Sequence, residues 1–331
     1  MDKAWKQIFA AVIVGLLLPR VVLSAGLWLA GKRTPETEPT QIDTAAPTEQ
    51  TQIVSVIPAY IPVLTGRADV AVMELESYVV GVVLAEMPAS FETEALKAQA
   101  VVARTYALRR IEQGDRHPDG AVCTDSLCCQ AYISEETYLQ SRGTEEDILK
   151  IRQAVSDTRG EVLVYEGNVA EATYFSCSGG RTEEAFEVWG AEFPYLQAVD
   201  SPGEEGAASY ETSVFFSRQA FLDALGVKLS GEPKTWLGKT AYTQGGGVKT
   251  MTIGGKSYTG TALRQKLGLN STRFTMTAEN GGIRVTTLGK GHRVGMSQYG
   301  ADAMAATGSN YLQILQYYYG GTGIDKVGQI G

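Results

Sequence analysis

The chain has 331 residues, with 29 Lys and Arg against 37 Asp and Glu, a net charge of −8. That length holds one large domain or two medium ones. The acidic balance argues against a general nucleic-acid binder, whose electrostatic footprint is basic, and against holding an anionic polymer by bulk charge.

Residues 8–30 are almost wholly apolar, preceded by Lys3 and Lys6 and followed by Lys32 and Arg33. A membrane-spanning helix needs about 20 such residues. Arg20 costs about 2.5–3.5 kcal/mol on insertion scales, which the many apolar neighbours offset. A cleavable signal peptide ending at Leu23-Ser24-Ala25 is the alternative. Either way the bulk of the protein is expected outside the cytoplasm. We read 1–31 as a cytoplasmic tip and a single-pass transmembrane anchor. Residues 32–59, rich in Thr, Pro, Glu and Gln, read as a disordered linker. The folded part is 60–331.

Val70 to Met73 reads as a strand, followed by a helix from Glu74 to Glu86. Leu75, Val79 and Val82 recur at steps of four and three and form one buried face. Four residues on, the same face carries Glu86, and Pro88 ends the helix just after it. Burial and the negative end of the helix dipole both raise the pKa of a carboxyl placed there. A Glu held partly protonated near neutral pH is what a general acid requires. By pattern alone, a surface Glu at a fraying end fits equally well.

The next helix, roughly 92–112, is dense in alanine and reads as a core element. Lys97 and Arg104, seven apart, share a face. Either salt bridges to neighbouring carboxylates or a wet binding groove accounts for them, with Gln99 offering an amide nearby. Beyond it lies His117, six residues before Cys123 and followed by Cys128 and Cys129. Thiolates and an imidazole in one short loop suit Zn²⁺. A disulfide in an exported protein and inert thiols are the other readings.

Residues 160–175 show a hairpin pattern around Glu166-Gly167-Asn168. Cys177, the remaining cysteine, and the distant His292 would form a nucleophile and base if they met in space. The Ser176-Cys-Ser-Gly-Gly180 context instead reads as a strand end and tight turn supplying hydroxyls and N–H donors. Trp189, Phe193 and Tyr195 serve either core packing or sugar stacking. Residues 203–282 read as a smaller α+β lobe, with a hairpin near 248–259 and a short helix at 261–267. Gly291-His-Arg-Val-Gly-Met-Ser-Gln-Tyr-Gly-Ala301 packs closely spaced glycines around one of only two histidines. Helix 309–319 closes the core. Strands and helices do not alternate regularly, so the fold class expected is α+β.

The 291–301 stretch resembles the GHGxGMSQ(W/Y)GA signature of the stage II sporulation protein D (SpoIID) family, which is related to amidase enhancers. Leu84-Ala-Glu-Met-Pro88, Leu96 to Ala107 and Tyr174 to Thr182 are similar to further family segments, in the same order. The resemblance runs from about residue 60 to the end. It departs at Arg293, where the family has glycine, and at Cys177, where Ser or Thr is commoner.

The resemblance implies that Glu86 is a catalytic acid/base. It implies a substrate groove built from Ser176, Ser178, Gly179, Gly180, His292, Met296, Ser297 and Gln298, to which we add Lys97, Gln99 and Arg104. Clostridial members bind zinc through a His and two Cys six residues apart, matching His117, Cys123 and Cys129 and leaving Cys128 out. The implied activity is that of a lytic transglycosylase cleaving the MurNAc–GlcNAc bond of denuded peptidoglycan strands during engulfment in sporulation. The implied partners are the amidase SpoIIP and the membrane protein SpoIIM. The rivals are a non-catalytic amidase enhancer, a Cys177/His292 wall peptidase, and a water-adding muramidase with Asp125, Asp200 or Asp302 as second carboxylate.

Overall fold

The computed structural model describes residues 57–66, 69–114, 116–141, 143–326 and 329–330. The expected anchor and nearly all of the expected linker lie outside the described residues. Among the described residues no helix is long and apolar enough to cross a membrane.

The strands Tyr60–Thr65 and Asp69–Glu74 form an antiparallel hairpin that leads directly into helix α1, Leu75–Glu86. Glu74 caps α1, its carboxylate accepting the Ser77 N–H at 2.7 Å. Nine of the twelve residues of α1 are buried. The single apolar stripe read from the sequence is therefore too narrow, because α1 is enclosed on nearly all sides and its apolar residues run around it. Met87 is extended, at φ −122° and ψ 141°, as the residue before Pro88 must be. That stop leaves Glu86 as the last helical residue.

Helix α2, Thr93–Gln113, ends on Gly114 in the left-handed conformation. Its alanines let neighbours approach on two sides. Leu96, Ala100, Ala103 and Ala107 join a first core with α1 and with α4, Glu145–Asp157, which follows the short α3, Glu135–Ser141. Ala95, Ala98, Val101 and Val102 join a second core with strand Glu161–Tyr165 and the C-terminal helices.

Glu161–Tyr165 pairs with Asn168–Val169 through the expected turn, in which Glu166 and Gly167 have φ of 49° and 77°. Tyr174–Phe175 runs parallel to Met296–Ser297, which sets the two glycine-rich motifs side by side across 122 residues of chain. The short helix α5, Ala185–Trp189, follows. A third core occupies the region between Phe216 and Val285, which contains α6, Arg218–Leu225, and α7, Gly260–Leu267, beside two three-stranded sheets. The hairpin expected near 248–259 is there, Val248–Ile253 paired with Lys256–Thr259. Helices α8, Gln298–Ala306, and α9, Tyr311–Tyr318, finish the second core. Among the described residues every sheet has two or three strands. The described residues thus form an α+β fold of small sheets and packed helices.

Candidate active site

Glu86 lines an open cleft of about 470 Å³, together with Ser90, Asp147, Ser176, Gln298 and Tyr299. Its carboxylate accepts three hydrogen bonds. The Ala131 N–H reaches Oε1 at 2.9 Å and the Tyr174 hydroxyl reaches it at 3.3 Å. The Gln298 amide reaches Oε2 at 3.5 Å. Desolvation outweighs these donors, so the Glu86 carboxyl sits above its ordinary range, even though Ala131, Gln298 and Tyr174 each pull it down.

The C-terminal motif brings Gln298 and Tyr299 to the cleft, and of the two Gln298 bonds Glu86. Gln298, 5% exposed, is the first residue of α8 and aims its amide at Glu86. Ser297 is fully buried and caps α8, its Oγ accepting the Gly300 N–H at 3.3 Å. Met296 is core. His292 accepts the Val294 N–H on Nδ1 at 3.1 Å, so its remaining ring N–H is the one that bonds the Tyr174 backbone carbonyl. Burial, helped by the Arg264 charge, lowers its pKa to about 4. The ring is therefore neutral at neutral pH and packs between Phe175 and Trp189. It supports Tyr174 and does not bond Glu86.

The turn after Tyr174 differs from the expected groove. Ser176 lines the cleft. Ser178 and Gly179 do not offer their donors to a ligand, because Glu204 takes them. Its Oε2 accepts the Ser178 N–H at 2.8 Å, the Ser178 hydroxyl at 2.8 Å and the Gly179 N–H at 3.0 Å. Gly180 donates its N–H to Ser178 Oγ at 2.9 Å. Gly179 has φ +69°, and a Cβ there would meet the Leu288–Gly289 backbone at 2.7 Å. Cys177 is fully buried and its thiol is pushed up to about 12 by burial and by Glu204, its hydrogen-bond partner at 3.2 Å. A Cys177/His292 nucleophile–base pair is thereby absent.

The cations of α2 take the bland reading. Arg104, fully buried, binds Glu76 through Nε at 3.0 Å and Nη2 at 2.6 Å. Glu76 and Glu86 are ten residues apart on one helix, about 15 Å by its rise. Lys97 pairs with Glu94 and Asp157, each at 3.0 Å. Gln99 is enclosed in the protein. None of the three lines the cleft.

Of the suggested second carboxylates, Asp200 pairs with Arg181, Asp302 accepts the Glu92 N–H at 2.7 Å, and Asp125 accepts that of Leu127 at 2.8 Å. The carboxylate that shares the cleft is Asp147, which sequence reasoning missed. Its only legible signal is the capping box Thr144-x-x-Asp147, in which it accepts the Thr144 N–H at 2.9 Å. Arg293, in place of the family glycine, keeps the left-handed φ of 70°. It is fully buried, and its guanidinium donates to Glu183 and to the Ser178, Arg181 and Gly245 carbonyls.

The ligand atoms of His117, Cys123, Cys128 and Cys129 all lie within 4.8 Å of one another. His117 Nε2 is 3.3 Å from Cys128 Sγ and 3.5 Å from Cys129 Sγ. Zinc bond lengths put the sulfur–nitrogen edge of a tetrahedral site at about 3.6 Å, so the residues fit such an ion. None of the four cysteines is in a disulfide. Cys128, expected to stand apart, lies in the cluster. Burial raises the Cys129 thiol to about 11 and Cys128 above its usual value, which a bound cation would reverse.

A family model described as Stage II sporulation protein matches residues 65–165. The chain is 40% identical over 297 residues to "Stage II sporulation protein D" of Bacillus subtilis (strain 168), covering 88% of this chain and 86% of that protein. The protein of the same name from Bacillus amyloliquefaciens is 40% identical over 275 residues, 81% of this chain and 79% of its own. "Amidase enhancer" of Bacillus subtilis (strain 168) is 30% identical over 298 residues, 73% of this chain but 39% of its own.

Proposed function

Because the chain belongs to the stage II sporulation protein D family, we propose that it is a lytic transglycosylase acting on peptidoglycan in sporulation. The observation that carries this reading is Glu86, a carboxyl that lines an open cleft and is raised above its ordinary range. Neutral Glu86 donates its proton to the glycosidic oxygen between MurNAc and GlcNAc as that bond breaks. The resulting carboxylate then takes a proton from the muramyl 6-hydroxyl, whose oxygen bonds to the anomeric carbon and closes a 1,6-anhydro ring. One carboxyl makes both transfers, and the Ala131, Tyr174 and Gln298 donors steady it while it is ionised. His292 bonds the Tyr174 backbone and does not bond Glu86, so its part is to position Tyr174.

Residues 1–31 would anchor the enzyme in the mother-cell membrane with its cleft facing the septal wall, beside SpoIIP and SpoIIM. His117, Cys123 and Cys129 would hold Zn²⁺, which orders the loop they share. The similarity to an amidase enhancer supports a second reading, a non-catalytic wall-binding module. Mass spectrometry of denuded glycan strands after incubation separates the readings. Anhydro-MurNAc ends support the lytic enzyme, and reducing ends would make Asp147 the partner in hydrolysis. Intact strands would leave only the binding module.

A further inference from the structure

The cysteine loop and Glu86 are joined by two residues of chain. The Asp125 carbonyl accepts the N–H of both Cys128, at 3.0 Å, and Cys129, at 2.9 Å. Gln130 then donates its amide to the Ala103 carbonyl of α2 at 3.2 Å, and Ala131 donates its N–H to Glu86. Ile133 donates to the Gly81 carbonyl of α1 at 3.1 Å. Segment 129–133 therefore lies across both helices with one backbone donor on the carboxylate.

Little regular structure holds the other end of that segment. Cys123 sits on a two-residue strand paired with Leu64, and His117 follows the end of α2. A loop so poor in ladder bonds leaves room for a further constraint on its far side, beyond the Gln130 and Ile133 hydrogen bonds. The converging ligand atoms provide one. Cys128 Sγ is nearer the imidazole than Cys129 Sγ is. Three sulfurs and one nitrogen make a complete tetrahedral set, the pattern of structural zinc sites that leave no position open. Three thiolates around a divalent cation carry one net negative charge. Arg116 lies against them, its Nη1 donating to the Cys128 carbonyl at 2.6 Å.

We infer that Cys128 is a fourth metal ligand beside His117, Cys123 and Cys129, and that this closed site pins the 128–131 turn so that Ala131 delivers its N–H to Glu86. The metal holds the carboxylate's surroundings and touches neither substrate nor Glu86. The importance of this strut rests on the reading of Glu86 as the acid, but its test does not.

Full-length protein loaded with Co²⁺ reports thiolate ligation through its sulfur-to-cobalt charge-transfer absorption. Cys128→Ser should lose about a third of that absorption, one thiolate of three. It should also weaken metal binding by at least about tenfold, since even groups behind metal ligands are worth 10–100-fold. Unchanged absorption would remove Cys128 from the site. Should the variant fail to fold, alkylation of the wild-type protein gives the same answer. Cys128 is protected with zinc bound and reacts after chelation, and equal reactivity in both states would overturn the assignment. Amide exchange of Ala131, read by NMR, tests the strut. Its protection should fall on chelation and return with zinc, and protection independent of metal would sink the strut. If the glycan assay shows no cleavage, both readouts still stand or fall by themselves.

Discussion

Two glutamates of this protein each take a hydrogen bond from the 174–179 stretch and are held in opposite ways. Glu204 is 1% exposed and its two oxygens accept from Cys177, Ser178, Gly179 and Ser201, with contacts of 2.6–3.2 Å. Glu86 has three donors at 2.9, 3.3 and 3.5 Å and keeps an open side toward the cleft. A carboxylate offers about four lone-pair sites. Glu204 takes five donor contacts from enclosed groups, four of them on Oε2. Glu86 has spare capacity, longer bonds and a raised pKa. On the proposed function, saturation marks the structural group and incompleteness the reactive one.

The sharpest break of this comparison is Glu86→Gln. Cleavage of denuded strands should fall by about 10²–10⁴-fold, the usual worth of a general acid. The fold should not suffer. A folded pKa above the ordinary value contributes stability below the ordinary carboxylate range and gives it up as pH rises through the raised value. Gln does not titrate, so the variant should gain on the wild type in melting temperature as pH rises. Residual turnover near wild type would take Glu86 out of the chemistry.

Glu204→Ala should do the reverse. It strands at least three buried donors and costs at least about 3 kcal/mol. For a domain of this size that is roughly 6 °C or more in Tm. Its effect on cleavage should follow the folded fraction alone. A stable variant with a lost reaction would make Glu204 a participant and erase the contrast.

The smallest effect belongs to Tyr174→Phe. One neutral hydroxyl donor to Glu86 disappears, worth about two- to tenfold in rate. Because that donor lowers the Glu86 pKa, its loss raises the pKa further. The alkaline limb of the kcat profile should move to higher pH while the packing of the ring is kept. A limb moving to lower pH would show that the hydroxyl favours the neutral acid.

These contrasts divide the legible from the illegible parts of the sequence. The apolar repeat Leu75, Val79, Val82 and the stop at Pro88 located α1 and placed Glu86 at its end, because periodicity and proline act locally. The Glu166-Gly167 turn and the hairpin at 248–259 were legible for the same reason. Partner choice was not. Ser178 and Gly179 look like free donors until Glu204, 26 residues on, occupies them. Arg104 looks like a groove cation until Glu76, 28 residues back, claims it. Ala131 reaches Glu86 with a backbone N–H, which no residue type announces. Residue identity gives the capacity to bond, and the packing of distant segments decides where it is spent.

Helix α2 separates two cores, and its second face is covered by segments near the opposite end of the chain. Tyr311 donates its N–H to Glu94 at 2.8 Å, and the Glu92 N–H is taken by Asp302. During synthesis or export the chain appears from its N-terminus, and local units form as they emerge. The face of Ala95, Ala98, Val101 and Val102 meets Leu163 and Ala172 first, and its cover is complete only about 200 residues further on, when Met296, Ile314 and Leu315 arrive. Through that interval part of this apolar ridge stands uncovered beside the first core. A truncation that removes only the last thirty residues would take away Ile314, Leu315, Tyr318 and Tyr319 and leave that ridge partly uncovered for good. The chain would then expose a surface suited to chaperones and proteases.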